Sequence, residues 1–207
     1  IDLIARAQQP DGYLNTYFTV KAPDRKWDNL CSWHELYCAG HMIEAAVAYY
    51  KATKKRKILD VVSSFADQIE SVFGNEKGKI KGYPGHEEIE LALVKLFRVT
   101  GEKKYLKLSK FFIEERGQDP HYFKEESKKN NSKFRFENDF GYKYNQSHLP
   151  VREQKTAEGH SVRAMYLYCG MTDVAMETND ESLLEVCQTI WDNTVNKRMY
   201  ITGGIGS

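Results

Sequence analysis

Three helical stretches of this chain are introduced by the same dipeptide and closed by the same kind of tripeptide, and this repetition constrains the fold most. Gly40-His41, Gly85-His86 and Gly159-His160 each precede an apolar run rich in Ala, Leu and Tyr. Each run stops at a threonine followed by polar or charged residues: Thr53-Lys54-Lys55, Thr100-Gly101-Glu102 and Thr178-Asn179-Asp180. A second amphipathic run follows each time. A two-helix unit recurring about every 40–50 residues describes a helical array whose neighbouring units bury one another's apolar faces. Histidines placed alike in successive units can converge on one shared cavity.

The spacing predicts the units in more detail. Leu36, Ile43, Val47 and Tyr50 form one stripe between Trp33 and Thr53, and Ile58, Val61, Val62, Phe65 and Ile69 another between Arg56 and Phe73, with Gly74 as C-cap. The second unit runs from His86 to Thr100, carrying Ile89, Leu93, Leu96 and Phe97, and from Lys103 to Arg116, closing at Gly117. The third runs from Gln154 to Thr178 and from Glu181 to Lys197, the latter burying Leu183, Leu184, Val186, Cys187, Ile190 and Trp191. Residues 118–150 read as an irregular insertion, and the stretch from Lys124 to Lys133, which has no apolar residue, as a solvated loop. Pro10-Asp11-Gly12 is turn chemistry in a structured loop that can hold a short strand, and Tyr200-Ile201-Thr202 is the best strand signal, itself short. The expectation is an all-α domain spanning 1–207, its helix-pair repeats forming part of an (α/α)6 barrel. Ile1–Arg6 reads as the tail of a helix already under way and Ser207 as a stop within a glycine-rich loop, so the barrel is expected to be truncated at both ends, leaving apolar faces exposed.

Composition excludes several classes. Lys and Arg number 30 against 29 Asp and Glu, a net charge of +1, which gives no reason to expect nucleic acid or an anionic membrane as partner. No run is apolar for long enough to span a bilayer. Aromatics make up 13%, which suits either a bulky core or the flat faces of carbohydrate rings. The four cysteines form no CxxC pair and read as buried free thiols. Together with the lysine-rich helix surfaces and the lack of a signal segment, this gives the expectation of a cytoplasmic protein.

His34, Cys38 and His41 are spaced for one helix face, but the string His34-Glu35-Leu36-Tyr37-Cys38 departs from the HExxH metalloprotease pattern at its fifth position. Packing of Cys38 and hydrogen bonding by the histidines is the reading preferred over a metal. The acidic residues of His86-Glu87-Glu88-Ile89-Glu90 complement a helix dipole, while His86 offers a donor and an acceptor for hydroxyls. His160, with Arg163 one turn on, repeats that arrangement. Arg152 and Glu153 read as a local, weak ion pair, and Gly203-Gly204-Ile205-Gly206 as a loop whose backbone can approach a ligand.

The strings from Gln8 to Tyr17, His34 to His41, Gly85 to Leu93, Pro150 to Gln154 and Tyr200 to Ser207 together closely resemble glycoside hydrolase family 127, whose type activity is a non-reducing-end β-L-arabinofuranosidase. The resemblance implies an (α/α)6 catalytic barrel and a small carbohydrate substrate. It assigns the sugar subsite to His34, His86 and His160, whereas the repeat alone selects His41 instead of His34. It further implies retaining catalysis by a cysteine thiolate nucleophile and a glutamate acid/base, with a zinc held by Glu and Cys. All of these lie beyond Gly203–Ser207 in the family, so no catalytic residue and no metal ligand is expected in this segment. Zinc is expected only in the full-length protein, and the segment alone is expected to be inactive. Other expected partners are the missing C-terminal half of the barrel and a second copy in a homodimer. The alternatives are the same fold acting on another rare sugar, or a non-catalytic carbohydrate-binding fragment.

Overall fold

The computed structural model describes residues 1–130 and 139–206 and the backbone of the helix that opens at Asp139. Ten α-helices follow in order: α1 (Asp2–Ala7), α2 (Thr16–Val20), α3 (Glu35–Thr53), α4 (Lys57–Val72), α5 (Ile89–Thr100), α6 (Lys103–Glu115), α7 (Tyr122–Lys129), α8 (Asp139–Tyr144), α9 (Ser161–Thr178) and α10 (Glu181–Asn193). Among the described residues there are no strands, only the isolated bridges Phe73–Ile80 and Met199–Ile205.

The three pairs are α3/α4, α5/α6 and α9/α10, each a hairpin whose members pack on one another. α5 lies between α3 and α9, and α6 touches both α4 and α9. The result is two layers, α3–α5–α9 and α4–α6–α10: part of a helical barrel. Most of the expected stripes are buried, Leu36, Ile43 and Val47 on α3, Ile58, Val61, Val62, Phe65 and Ile69 on α4, and Ile89, Leu93 and Leu96 on α5, while Tyr50 and Phe97, near their helix ends, are only half-buried. They merge with Tyr13, Phe18, Trp27, Tyr83 and Phe123 from the connecting segments into one apolar core, and a second gathers Val94, Ile113, Leu167, Met171, Val174, Leu183 and Ile190.

The repeated tripeptide has a single physical cause. Lys54, Gly101 and Asn179 cap their helices in the left-handed region, with φ of 60°, 79° and 51°. The preceding threonine returns its hydroxyl to the carbonyl four residues back, Thr53 to Tyr49 (2.8 Å), Thr100 to Leu96 (2.8 Å) and Thr178 to Val174 (2.7 Å). The three layer-one helices therefore end alike.

They do not all start alike. Gly40-His41 lies inside α3, which opens at Glu35 with His34 as its N-cap. α5 opens at Ile89, three residues after His86, and α9 at Ser161 with His160 as N-cap, so 154–160 is not helical. Gly40 is needed for close approach instead: a Cβ there would overlap the Glu88 carboxylate from α5. Gly159 takes φ +73°, with the backbone of Lys143 against the place a side chain would fill.

Other expectations change. Residues 122–129 form α7, not a solvated loop, because Phe123, Glu126 and Ser127 bury one face while the lysines stay outside; the remainder of that stretch, to Lys133, lies outside the described residues from 131 on. Trp191 is 62% exposed and Leu184 41%. On α10 only Leu183 and Ile190 are buried, for the apolar period identifies a stripe without saying how much of it meets a neighbour. Cys31 is buried, Cys187 half-buried, and Cys38 and Cys169 are exposed, so Cys38 is not packed in the core; all four are free thiols. Arg152 pairs with Asp180 at 2.7 Å and Glu114, not with Glu153. No helix is long and apolar enough to cross a membrane among the described residues.

Candidate functional site

α3, α5 and α9 present their N-terminal ends to one place, and each brings a histidine. His34 caps α3, His86 sits in the segment leading to α5, and His160 caps α9. The ring centroids of His34 and His86 are 5.8 Å apart, and those of His86 and His160 6.3 Å. Tyr37, one turn into α3, stands 4.4 Å from His86, and Tyr166, on α9, 6.2 Å from it. His41 joins the far side of this group, 4.4 Å from Tyr37 and 5.9 Å from Tyr166. His34 and His41 therefore both belong to the cluster, but His34 is the one with its ring beside His86. Among the described residues no ring contact ties His148 to the cluster.

Each histidine rides on a segment that a buried polar side chain pins. For His34 it is Glu126 of α7, accepting from the N–H groups of Leu30 (2.7 Å) and Cys31 (3.1 Å). Glu35 secures the same loop by accepting from the Trp27 N–H at 2.9 Å and from the Tyr13 hydroxyl. For His86 the pin is Arg116, completely buried at the end of α6. It donates to the Pro84 carbonyl (2.8 Å) and the Asn145 carbonyl (2.9 Å) and contacts Glu87 (2.9 Å) and Glu90 (3.0 Å). For His160 it is Gln146, whose amide donates to the Glu158 carbonyl at 2.8 Å. Arg163 links two of the segments, donating to the Gly85 carbonyl while its guanidinium lies 4.6 Å over the Tyr144 ring. Backbone polar groups off the helices need such partners when buried.

The electrostatics keep the imidazoles of His34, His86 and His160 uncharged. Burial, and after it the Arg163 guanidinium, lowers the pKa of His34 and of His160. His86 falls furthest, to about 4, through burial first, with Arg163 and the two neighbouring histidines adding to it. The His86 Nδ1 lies 2.8 Å from the Glu87 carbonyl. A carbonyl can only accept, so Nδ1 carries the proton and Nε2 is left as a lone-pair acceptor. Three neutral rings, each with one donor and one acceptor, beside two tyrosines, suit hydroxyl groups rather than an anion. Behind them Glu87 is pushed up to about 8 by burial, since one guanidinium serves two carboxyls.

Two hollows border the cluster. One of about 390 Å³ takes in His160, Tyr144, Glu158 and Gly206. A larger one, about 880 Å³, lies along α9 and α10 beside Tyr166, Glu44 and Trp191. Gly206 and Ile205 from the glycine-rich loop line the smaller hollow, so that loop does reach the site's edge. Sequence reasoning missed Tyr37, Tyr166 and the three pins. Tyr37 lay within a string already singled out, but nothing in the pattern marks Arg116, Glu126 or Gln146 as other than surface residues.

No cysteine stands in a cluster of three or more metal-ligating side chains among the described residues, and burial raises the pKa of all four thiols. These residues do not fit a thiolate-rich zinc.

A family model for the GH127 catalytic domain of β-L-arabinofuranosidases matches residues 1–207. A non-reducing-end β-L-arabinofuranosidase of Bifidobacterium longum subsp. longum is 46% identical across the whole chain. Among solved structures, a GH127 β-L-arabinofuranosidase from Geobacillus stearothermophilus T6 is 57% identical with a TM-score of 0.97, and a GH127 β-arabinofuranosidase is 43% identical with a TM-score of 0.84, each similar over 100% of this chain. The chain spans 32% of the length of the Bifidobacterium and Geobacillus proteins and 31% of the other.

Proposed function

The chain belongs to glycoside hydrolase family 127, and from that premise we propose that it supplies the sugar-recognition end of a β-L-arabinofuranosidase acting on plant-derived oligosaccharides. The observation that carries this reading is the meeting of His34, His86 and His160 from three different helix pairs, with centroid separations of 5.8 and 6.3 Å, all uncharged at neutral pH. A terminal pentose offers hydroxyls that both donate and accept. His86 Nε2 accepts one of them, while His34 and His160 supply further donors and acceptors. Tyr37 and Tyr166 provide ring surface for the apolar face of the sugar and exclude water around it.

Binding and orientation are the work of this chain. A cysteine nucleophile, a glutamate acid/base and a zinc, which the family likeness implies, find no matching residues here, so we assign the bond-breaking step to sequence outside this chain. The segment on its own is inactive under this reading. We place the protein in the cytoplasm, which the four free thiols support.

Assay of the full-length protein on a panel of aryl furanosides tests the assignment. The reading expects turnover of the β-L-arabinofuranoside, and His86→Ala lowering kcat/KM by roughly tenfold or more, the value of one or two lost hydrogen bonds to a bound hydroxyl. A His86→Ala enzyme with unchanged kcat/KM contradicts it.

A further inference from the structure

On the far side of Tyr37 from His86 lies a second group of polar side chains to which the sugar reading gives no task. His41 and Glu44 stand at i and i+3 on α3, on one helix face. Glu88, the residue that precedes α5, reaches them from the neighbouring hairpin. His41 Nδ1 is 3.4 Å from Glu88 Oε1 and 3.9 Å from Glu44 Oε2, and one ligand atom from each of the three residues lies within 4.8 Å of the other two. Four-coordinate zinc with bonds of 2.0–2.1 Å holds its ligand atoms about 3.3 Å apart; the His41–Glu88 distance matches that spacing, and the other two close to it by small side-chain shifts.

The Glu88 side chain has no exposed surface, and among the described residues no N–H or hydroxyl donates to its oxygens, which lie within hydrogen-bond reach of the Glu44 carboxyl so that the pair can share a proton. What faces it is another carboxylate, Glu44, and the imidazole of His41. Burying a carboxylate without a donor is costly, and a group in that position takes up a cation, be it a proton or a metal ion. Gly40 provides the space for it, since a methyl group there would overlap the Glu88 carboxyl. Two further charged groups reach the cluster: Glu90, which accepts from the Glu88 N–H, and Lys95, which binds Glu44 Oε1 and leaves Oε2 facing the other two ligands. The His41 ring is held edge-on by Tyr37 and Tyr166. Glu44 and Tyr166 also line the 880 Å³ hollow, from which water can complete the coordination.

We propose that His41, Glu44 and Glu88 form a binding site for a divalent transition-metal ion of zinc type, tying α3 to the start of α5. One imidazole and two carboxylates suit zinc or cobalt(II) and offer little to softer ions. The site does not depend on the sugar assignment.

Titration of the protein with cobalt(II), followed by its visible d–d absorption, tests the proposal. A nitrogen–oxygen donor set gives those bands without the thiolate charge-transfer band that cysteine ligands add. The expected result is one equivalent bound in this mode and displaced by zinc. His41→Ala, Glu44→Gln and Glu88→Gln should each weaken it by more than the ~10-fold that loss of even an outer-shell partner costs, whereas Cys38→Ser leaves it unchanged. His41 and Glu44 are partly exposed, so their variants report binding even if Glu88→Gln fails to fold. Cobalt affinity unaltered in the His41 and Glu44 variants, or a folded parent protein that takes up no cobalt in this mode, overturns the proposal and leaves a proton on Glu88.

Discussion

Arg116 shows how much of the site depends on residues that never touch it. It is wholly buried against Glu87 and Glu90 and binds the carbonyls of Pro84 and Asn145. Removing one partner from a buried ionic cluster leaves the others uncompensated. Arg116→Ala is therefore expected to destabilise the fold by about 3–5 kcal/mol, read by urea unfolding. The imidazoles give a second prediction at this scale. His86 has a pKa of about 4 in the fold, against 6.5 for the free group. As pH falls the unfolded chain binds the proton first, so this contribution to stability is complete above pH 6.5 and is lost as pH drops through about 4. Stability measured across that window should fall less steeply in His86→Ala than in the parent. Equal slopes contradict the neutral assignment of that ring.

At the scale of elements, the helix pairs were legible because their apolar stripes and their capping tripeptides are local. Thr53, Thr100 and Thr178 each mark a left-handed cap that the next residue must adopt. The helix starts were less so: Gly40-His41 looks like an opening because Gly40 serves a contact with Glu88 across the layer, a fact invisible along the chain. α7 was misread for a similar reason. Its polar residues outnumber its apolar ones, and Glu126 is buried because the amides of Leu30 and Cys31 wait for it 96 and 95 residues away. The same remoteness hid the pins of His86 and His160, whereas the histidines themselves stood out by recurrence. Glu126→Ala leaves two buried N–H groups unpaired and should cost roughly 1–3 kcal/mol. Because those amides belong to the loop before His34, arabinofuranoside affinity should also fall, measured by calorimetry; stability loss with affinity intact in the folded fraction would separate that loop from sugar binding.

At the scale of the whole molecule, three hairpins laid side by side give three parallel N-terminal ends, and the fold thereby turns a sequence repeat into a cluster. The chain amounts to about a third of its relatives' length, and the exposed Trp191 and Leu184 on α10 show that the apolar stripe of the last pair is not consumed by the contacts within these residues. What these 207 residues build by themselves is the imidazole cluster with its pins, and on that cluster the account stands or fails. Nitrogen NMR of the imidazole side chains, recorded at neutral pH while a β-L-arabinofuranoside is added, tests it directly. The account predicts that His34, His86 and His160 are all neutral before addition and that their resonances move together along one saturation curve. Rings that titrate independently near pH 6.5 and ignore the sugar would contradict it.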